Sequence, residues 1–366
     1  MRATRYASSA VSRAARTLGS GATSAWSASP ASLSRRAIAF GLVAVVVAGA
    51  GAGCSSCQGG KAVAKADLTL VPHEADFVFM ANFDRMRDTA MWRKALDLRD
   101  STPEMKQRFD EITQRTGTDP FKNLKSAFIA FPASGNGGEF AAVLRGGPFD
   151  ELKLAAYAKE QLQKQGNDLA PSDYNGHKLY TDGRGGATFA TVFDKSTMFV
   201  GGKEWIKKMV DLAGKAEEKD SASSNTALTA LIKQTKVADA LWGVGMVPDQ
   251  VRARLKDDPR LSSAGTMKSI HASIDFQAGV TLTAAVDLAG PAEATDLSTK
   301  INGQIADAKK NPQMLMLGLA PFLDAAKVQA QGPAFLVDIK LTQQQVDDLI
   351  GRLKGLLQSV GGQLQP

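Results

Sequence analysis

The order of strand-like and helix-like patterns constrains the fold of this chain most strongly. Residues 67–214 and 226–366 each run from a strand through a helix, a hairpin, a second helix and further strands to a final amphipathic helix. The hairpin strands are joined by glycine-containing turns at 133–138 and 277–279, which is typical of antiparallel pairing. Helices placed between hairpins favour α+β layers over a doubly wound parallel sheet. The sequence therefore predicts an α+β fold with two related halves, each a mainly antiparallel sheet packed by amphipathic helices.

The repeated order indicates a diverged internal duplication. Both halves open on the same dipeptide, at Ala75-Asp76 and Ala238-Asp239. Residues 215–225 are charged and then rich in serine, and they are predicted to link the two halves. Residues 75–83 are apolar on both faces of a strand, so we expect this strand to be central in its sheet and covered on both sides.

Residues 1–53 differ in composition from the rest of the chain. They contain six of the 44 basic residues and no acidic residue, so 38 basic side chains remain against all 37 acidic ones. A nucleic-acid-binding domain would carry its basic patch in the folded part, and nucleic acid is therefore not an expected partner. Arg35-Arg36 precedes a short apolar run over 37–53 that ends in small residues, which is the pattern of a secretory signal.

The two cysteines of the chain, Cys54 and Cys57, follow directly after that apolar run. Gly51-Ala52-Gly53-Cys54 resembles the lipobox of bacterial lipoproteins, although Gly51 stands where that family usually has a branched apolar residue. The resemblance implies that the Cys54 thiol carries a diacylglyceryl group, that the chain is cut before this residue, and that the new amino terminus is acylated. Stable membrane anchoring needs two or more acyl chains, and such a cysteine provides them.

The resemblance therefore predicts a leader over 1–53, a flexible tether over 54–66, and an exported body that is anchored in a membrane of the bacterial cell envelope and faces the periplasm. Other interpretations of the leader stay open. The apolar run is marginally long enough to remain as an uncleaved signal anchor. The first 36 residues, rich in Arg and Ser, also fit a mitochondrial transit peptide, and Arg35-Arg36 is similar to a twin-arginine export signal.

Catalytic motifs are missing from the sequence after residue 53. It contains no HExxH, no GxSxG nucleophile elbow and no SxxK. His73, His177 and His271 lie far apart along the chain, and no spacing of residues predicts a metal ion or a cofactor. We therefore expect a protein that is not an enzyme. The alternative is an envelope enzyme that uses these three histidines together with carboxylates.

One dense apolar segment, over residues 313–323, stands out in the second half. Methionine suits adaptable apolar surfaces, so the segment predicts an apolar binding surface formed by Met314, Met316, Leu317 and Phe322. The alternative is a buried helix of the second core, because apolar runs usually lie in a core.

These patterns together favour a membrane-tethered cell-envelope lipoprotein with a non-catalytic binding or scaffolding role. The body also resembles uncharacterised bacterial envelope lipoproteins in its length and plan. Besides the membrane, which the acyl chains would enter, the expected partner is an envelope protein. The alternative is that the chain carries an apolar envelope ligand in a cleft between sheet and helices.

Overall fold

A computed structural model describes residues 66–133, 139–182, 188–215, 218–256, 262–312 and 320–361 of the chain. All of them belong to one compact unit, Gly49–Pro366. The predicted leader, Cys54 and the tether up to residue 65 lie outside the described residues. Among the helices of the described part, none has the length and apolar character needed to cross a membrane.

The strands of both halves form one sheet. They are β1 (Phe77–Asn82), β2 (Ser126–Phe131), β3 (Ala141–Arg145), β4 (Ala170–Tyr174), β5 (His177–Thr181), β6 (Thr188–Asp194), β7 (Thr197–Gly202), β8 (Leu241–Met246), β9 (Ser269–Asp275), β10 (Val280–Asp287), β11 (Ala326–Gln331) and β12 (Ala334–Leu341). Their order across the sheet is β11-β12-β10-β9-β8-β1-β2-β3-β7-β6-β5-β4. Every pairing between neighbours is antiparallel.

Helices connect these strands and pack on the sheet. They are α1 (Ala90–Ser101), α2 (Pro103–Thr116), α3 (Pro120–Asn123), α4 (Glu151–Gln163), α5 (Lys203–Lys215), α6 (Thr226–Gln234), α7 (Asp249–Lys256), α8 (Pro291–Lys310), α9 (Ala320–Asp324) and α10 (Gln343–Gly361), with 3₁₀ turns at Glu218–Asp220, Ala222–Ser224 and Ser262–Thr266. The predicted α+β class with an antiparallel sheet is thereby confirmed. The prediction of a separate sheet for each half is wrong, because β1 and β8 pair with each other and join the described strands into one continuous sheet.

The same backbone hydrogen bonds occur at corresponding places in the two parts of the sheet. In each part, the residue after the first strand donates to a lysine that precedes the second strand. That lysine donates to the last residue of the third strand, and the residue after the third strand donates to the residue before the last strand. The bonds are Phe83 N to Lys125 O, Lys125 N to Arg145 O and Gly146 N to Ser196 O in one part, and Val247 N to Lys268 O, Lys268 N to Asp287 O and Leu288 N to Pro333 O in the other.

The front face of the sheet carries the larger core. Val78 and Met80 of β1 and Trp242 of β8 are each 2% exposed and pack in one cluster with helices α5 and α6. The α5 residues in this cluster are Trp205, Ile206, Met209 and Val210. The spacing of these four residues thus predicts the buried side of α5 correctly.

The described part of the predicted linker, 218–225, is packed rather than extended. Ser221 and Ala222 are fully buried. The Ala222 N–H donates to Val71 O at 2.8 Å, and the His73 N–H donates to Asp220 O at 3.0 Å. The 3₁₀ turns therefore hold the chain entering β1 against the front-face core.

An ion pair fixes the segment that leads from residue 66 into this core. Asp67 is buried, and its Oδ1 accepts hydrogen bonds from Arg145 Nε at 2.9 Å and from Arg145 Nη2 at 2.8 Å. Asp67 Oδ2 is buried without a hydrogen-bond partner among the described residues. Burial raises the pKa of Asp67, and the opposing effect of Arg145 is smaller.

Candidate functional site

The back face of the four central strands is apolar throughout. Residues that pair directly across an antiparallel sheet lie on the same face, so the register of β2, β1, β8 and β9 assigns twelve residues to this surface, which we call the apolar strip. Its members are Ala127, Ile129 and Phe131; Phe77, Phe79 and Ala81; Leu241, Gly243 and Gly245; and Ile270, Ala272 and Ile274. The front-face positions of β9, by contrast, are Ser269, His271, Ser273 and Asp275.

The strip is only partly covered by helices. Phe131 is 40% exposed and Ile270 is 39% exposed, and Phe77 and Phe79 are half-buried. The sequence predicts that β1 is covered on both sides, and this is wrong for its back face at the end where Phe77 lies. The exposed residues Phe131 and Ile270 lie in one row across the sheet, with Phe77 and Gly245 between them.

Two glycines of β8 set the shape of the strip. A Cβ placed on Gly245 would overlap the Phe77 ring, and one placed on Gly243 would lie 3.3 Å from Phe79 Cδ2. Both rings therefore pack over the β8 backbone, because Gly243 and Gly245 have no side chains there. On its other side the Phe77 ring stacks on Phe131, with centroids 5.1 Å apart and planes inclined by 12°.

Helices border the strip on the side of the second half. The row that holds Ile270 continues across the sheet to Val286 and Phe335. These two residues are 8% and 7% exposed because they pack against Ala294 and Leu297 of α8. The exposed part of the strip therefore ends where α8 begins to cover the sheet.

On the side of the first half, α4 lies over the back face. Tyr180 of β5 donates a hydrogen bond to Glu151 Oε1 of α4 at 3.0 Å. Burial, together with the neighbouring Glu151 carboxylate, raises the pKa of Tyr180 to about 12, so the phenol remains a neutral donor. Helix α2 is joined to α4 by a bond from Gln161 Nε2 to Glu111 Oε1 at 3.1 Å.

Charged side chains lie near the other end of these strands, the end at which β1 finishes with Asn82. Lys94 Nζ of α1 contacts Asp347 Oδ1 of α10 at 2.9 Å, joining a helix from each half. Arg85 Nη2 lies 3.9 Å from Asp275 Oδ1. The Arg85 side chain is 14% exposed, and its Nε is buried without a hydrogen-bond partner among the described residues.

The three histidines considered from the sequence are not brought together. His177 is in β5 and His271 is in β9, and six strands lie between them in the sheet. The His177 ring stacks on Phe193 at 4.7 Å, whereas burial lowers the pKa of His271. Within the described ranges, no three His, Cys, Asp or Glu side chains are grouped so that they could hold a metal ion.

His73 contacts a serine that the sequence analysis did not single out. Its Nδ1 lies 2.8 Å from Ser224 Oγ. The Ser224 hydroxyl also lies 2.8 Å from the carbonyl oxygens of Lys219 and Ser221. Because two carbonyls compete for its single proton, this hydroxyl stabilises the 3₁₀ turns, and the contact does not have the geometry of a nucleophile activated by a base.

The predicted lipid and apolar sites fall largely outside the described residues. Cys54, Met314, Met316 and Leu317 are not among them. Phe322 lies in the short helix α9 and is half-buried. The predicted surface on 313–323 therefore remains a prediction.

Sequence reasoning missed the strip because its residues come from four strands that are distant in the chain. Phe77 and Phe79 belong to residues 75–83, whose sequence predicts a strand that is apolar on both faces. Their proximity to Phe131 and Ile270, however, follows only from the register of the sheet. The nearest signal in the sequence is the pair Gly243 and Gly245, since alternate glycines in a strand indicate close approach of another group.

Comparisons with known proteins show a distant structural likeness. No protein-family model matches the sequence, and no curated protein matches it. A solved structure titled "Structure of crystal form I of TP0453" superposes with a TM-score of 0.42 at 13% sequence identity. The match covers 78% of this chain and 97% of that one.

Proposed function

We propose that this chain is an exported, membrane-tethered lipoprotein of the bacterial cell envelope, and that it acts by binding rather than by catalysis. The lipobox-like sequence ending at Cys54 and the small, polar tether after it support the anchor. The separation of His177 from His271 by six strands of the sheet supports a role other than catalysis.

The exposed part of the apolar strip carries the binding proposal. Burying apolar surface stabilises a protein by roughly 25 cal/mol per Å², so leaving Phe131 and Ile270 in water forgoes stability. The stacked Phe77 and Phe131 rings and the two glycines beside Phe77 form a smooth apolar surface, and α8 covers the neighbouring strands of the second half. A ligand or partner that covered the exposed part of the apolar strip would recover the free energy of burying these side chains.

The position of the strip in the sheet favours an apolar ligand over an extended peptide. All four strands are interior, and each pairs with a neighbour on both sides. Their backbone N–H and C=O groups are therefore hydrogen-bonded to the neighbouring strands. A peptide lying on the apolar strip would find no free backbone groups with which to form hydrogen bonds. An acyl chain has no hydrogen-bonding groups and needs none. We therefore favour a carrier of an apolar envelope ligand over a scaffold.

Native mass spectrometry of the protein released gently from its own membrane tests this function. We expect additional non-covalent mass on the wild-type protein and its loss in the variant Ile270→Glu, which places a charge on the strip. Leu152→Glu is the matched control, because Leu152 is 79% exposed and lies on α4 away from the strip. Equal occupancy of the two variants, or no ligand on the wild type, would contradict the carrier role.

A further inference from the structure

The chain enters the folded body on the front face of the sheet. Asp67 is buried and accepts hydrogen bonds from Nε and Nη2 of Arg145, the last residue of β3. Leu68 and Val71, which follow it, are buried in the front-face core. These contacts fix the point at which the predicted tether over 54–66 meets the body.

The exposed part of the apolar strip lies at the opposite end of the strands and on the opposite face. Arg145 pairs with Ser126, which is five residues from Phe131 along β2. A strand rises about 3.4 Å per residue, so the two positions are roughly 17 Å apart along the sheet. Phe131 belongs to the back-face row that runs through Phe77 to Ile270. The tether and this row are therefore diagonally opposed across the sheet.

The end of the strip nearer to the tether is better covered. Ala81 and Ala127 pair with each other there and are 0% and 1% exposed, and Leu241 in the same row is half-buried. At the far end, Phe131 and Ile270 are both exposed. A ligand therefore enters the strip most readily at the end far from the tether.

The length of the tether limits which lipid surface the exposed row can touch. Residues 54–66 extend to at most about 45 Å and to about 20 Å on average if they behave as a flexible chain. To turn the exposed row toward the anchoring bilayer, the tether would have to pass around the body. That path runs about 17 Å along the strands and crosses the sheet and its helix layer, at roughly 10 Å each. It takes most of the extended length, and a stretched linker brings its ends together rarely.

We propose that the strip exchanges its apolar ligand with a lipid surface other than the bilayer that holds Cys54. The tether keeps the exposed row turned away from its own membrane and toward the facing membrane of the envelope. The row is apolar and lies on interior strands, which suits transfer of an acyl chain from lipid better than pairing with a protein strand. This inference rests on the proposed carrier function and adds to it the partner with which the ligand is exchanged.

A transfer assay with the fluorescent fatty acid parinarate tests the inference. The full acylated protein is reconstituted into phosphatidylcholine vesicles, and the probe is supplied either in these vesicles or in separate vesicles without protein. Energy transfer from the tryptophans reports binding, and only the signal that Ile270→Glu removes is counted. We expect transfer from separate vesicles to be at least about threefold faster than transfer from the protein's own vesicles, and to rise with the concentration of separate vesicles.

Lengthening the tether provides the matched control. About twelve Gly and Ser residues inserted after Gly60 nearly double its length and let the body turn over. Transfer from the protein's own vesicles should then rise toward the rate from separate vesicles, which should itself stay unchanged. Gly60 precedes the first described residue, so the insertion leaves the contacts of Asp67 in place.

Two results would overturn the inference while the carrier function remained. One is equally fast transfer from both kinds of vesicle with the native tether, because the orientation of the body would then not matter. The other is binding of parinarate from solution without transfer from either kind of vesicle, since the source of the ligand would then not be a lipid surface. Failure of the wild type to bind free parinarate would remove the carrier function as well.

Discussion

At the scale of single residues, Gly245 decides how the aromatic rings of the strip are arranged. The Phe77 ring occupies the space that a Cβ at Gly245 would need, and it is fixed on its other side by Phe131. Gly245→Ala should therefore force the ring out of its stack and cost about 1–3 kcal/mol of unfolding free energy, as overpacking typically does. The measurement is urea denaturation followed by circular dichroism.

The helical Gly303 provides the control for that substitution. Among the described residues, no atom outside the adjacent turns of α8 lies within 4 Å of a Cβ placed there, so Gly303→Ala should stabilise the protein by up to about 1 kcal/mol through helix propensity. If Gly245→Ala is neutral or stabilising while Gly303→Ala behaves as expected, the described packing of Phe77 is incorrect.

Asp67 makes stability depend on pH at the entry to the folded body. Because burial raises its pKa in the folded state, the folded protein binds this proton more readily than the unfolded chain. Its contribution to stability is therefore fully present below the unfolded pKa and is lost as pH rises through the folded pKa. The difference in unfolding free energy between wild type and Asp67→Asn should shift in favour of wild type as pH falls from 7 toward 4.

Denaturation of both proteins across that pH range checks the prediction. Asp307→Asn is the control for a general effect of charge, since Asp307 is exposed on α8. A difference that does not change with pH, or that shifts in favour of the variant at low pH, would contradict the raised pKa of Asp67.

At the scale of elements, periodicity identified most helices and strands because their buried faces are regular. The hairpins β2–β3 and β9–β10 lie where the sequence predicts them. The edge strand β4 was missed, since Ala170–Tyr174 is mostly exposed and contains Pro171, so it has neither the alternation nor the composition of a central strand. Similarly, the polar composition of residues 218–225 predicts a linker. Their burial depends on contacts with residues 71–73, which are distant from them in the sequence.

A capping box begins α10, and its spacing, Thr342 followed three residues later by Gln345, is visible in the sequence. The Thr342 N–H donates to Gln345 Oε1 at 2.8 Å, and the Gln345 N–H donates to Thr342 Oγ1 at 3.3 Å. Thr342→Ala should therefore cost about 1 kcal/mol.

A second threonine variant distinguishes capping from the general effect of removing a hydroxyl. Thr299 lies inside α8 and bonds only to the carbonyl oxygen one turn earlier, so Thr299→Ala should be neutral or slightly stabilising. Thermal denaturation measures both variants. Equal losses in the two would show that the cap contributes nothing specific.

At the scale of the whole molecule, the two parts of the chain share one sheet. The hydrogen bonds from Asn82 N to Ala240 O and from Met246 N to Asp76 O lie at the two ends of the β1–β8 pair. Together with the matched bonds elsewhere in the sheet, they support our proposal of a diverged duplication, with a pseudo-two-fold axis near Phe79 and Gly243. The sequence pattern suggested the duplication, but the joining of its parts into one sheet depends on pairing between distant strands.

A continuous sheet predicts that both parts unfold together. Differential scanning calorimetry should show one transition whose van't Hoff and calorimetric enthalpies agree. Two separate transitions would indicate that each part folds on its own sheet and that β1–β8 pairing contributes little to stability.

The proposed function requires a lipid-anchored protein, and the covalent state of Cys54 tests that requirement most directly. The measurement is the intact mass, under denaturing conditions, of the protein extracted from its native membrane. We predict the mass of residues 54–366 increased by two or three acyl chains on Cys54. A mass that includes residues before Cys54 and no lipid would contradict the account, and would make residues 37–53 an uncleaved anchor.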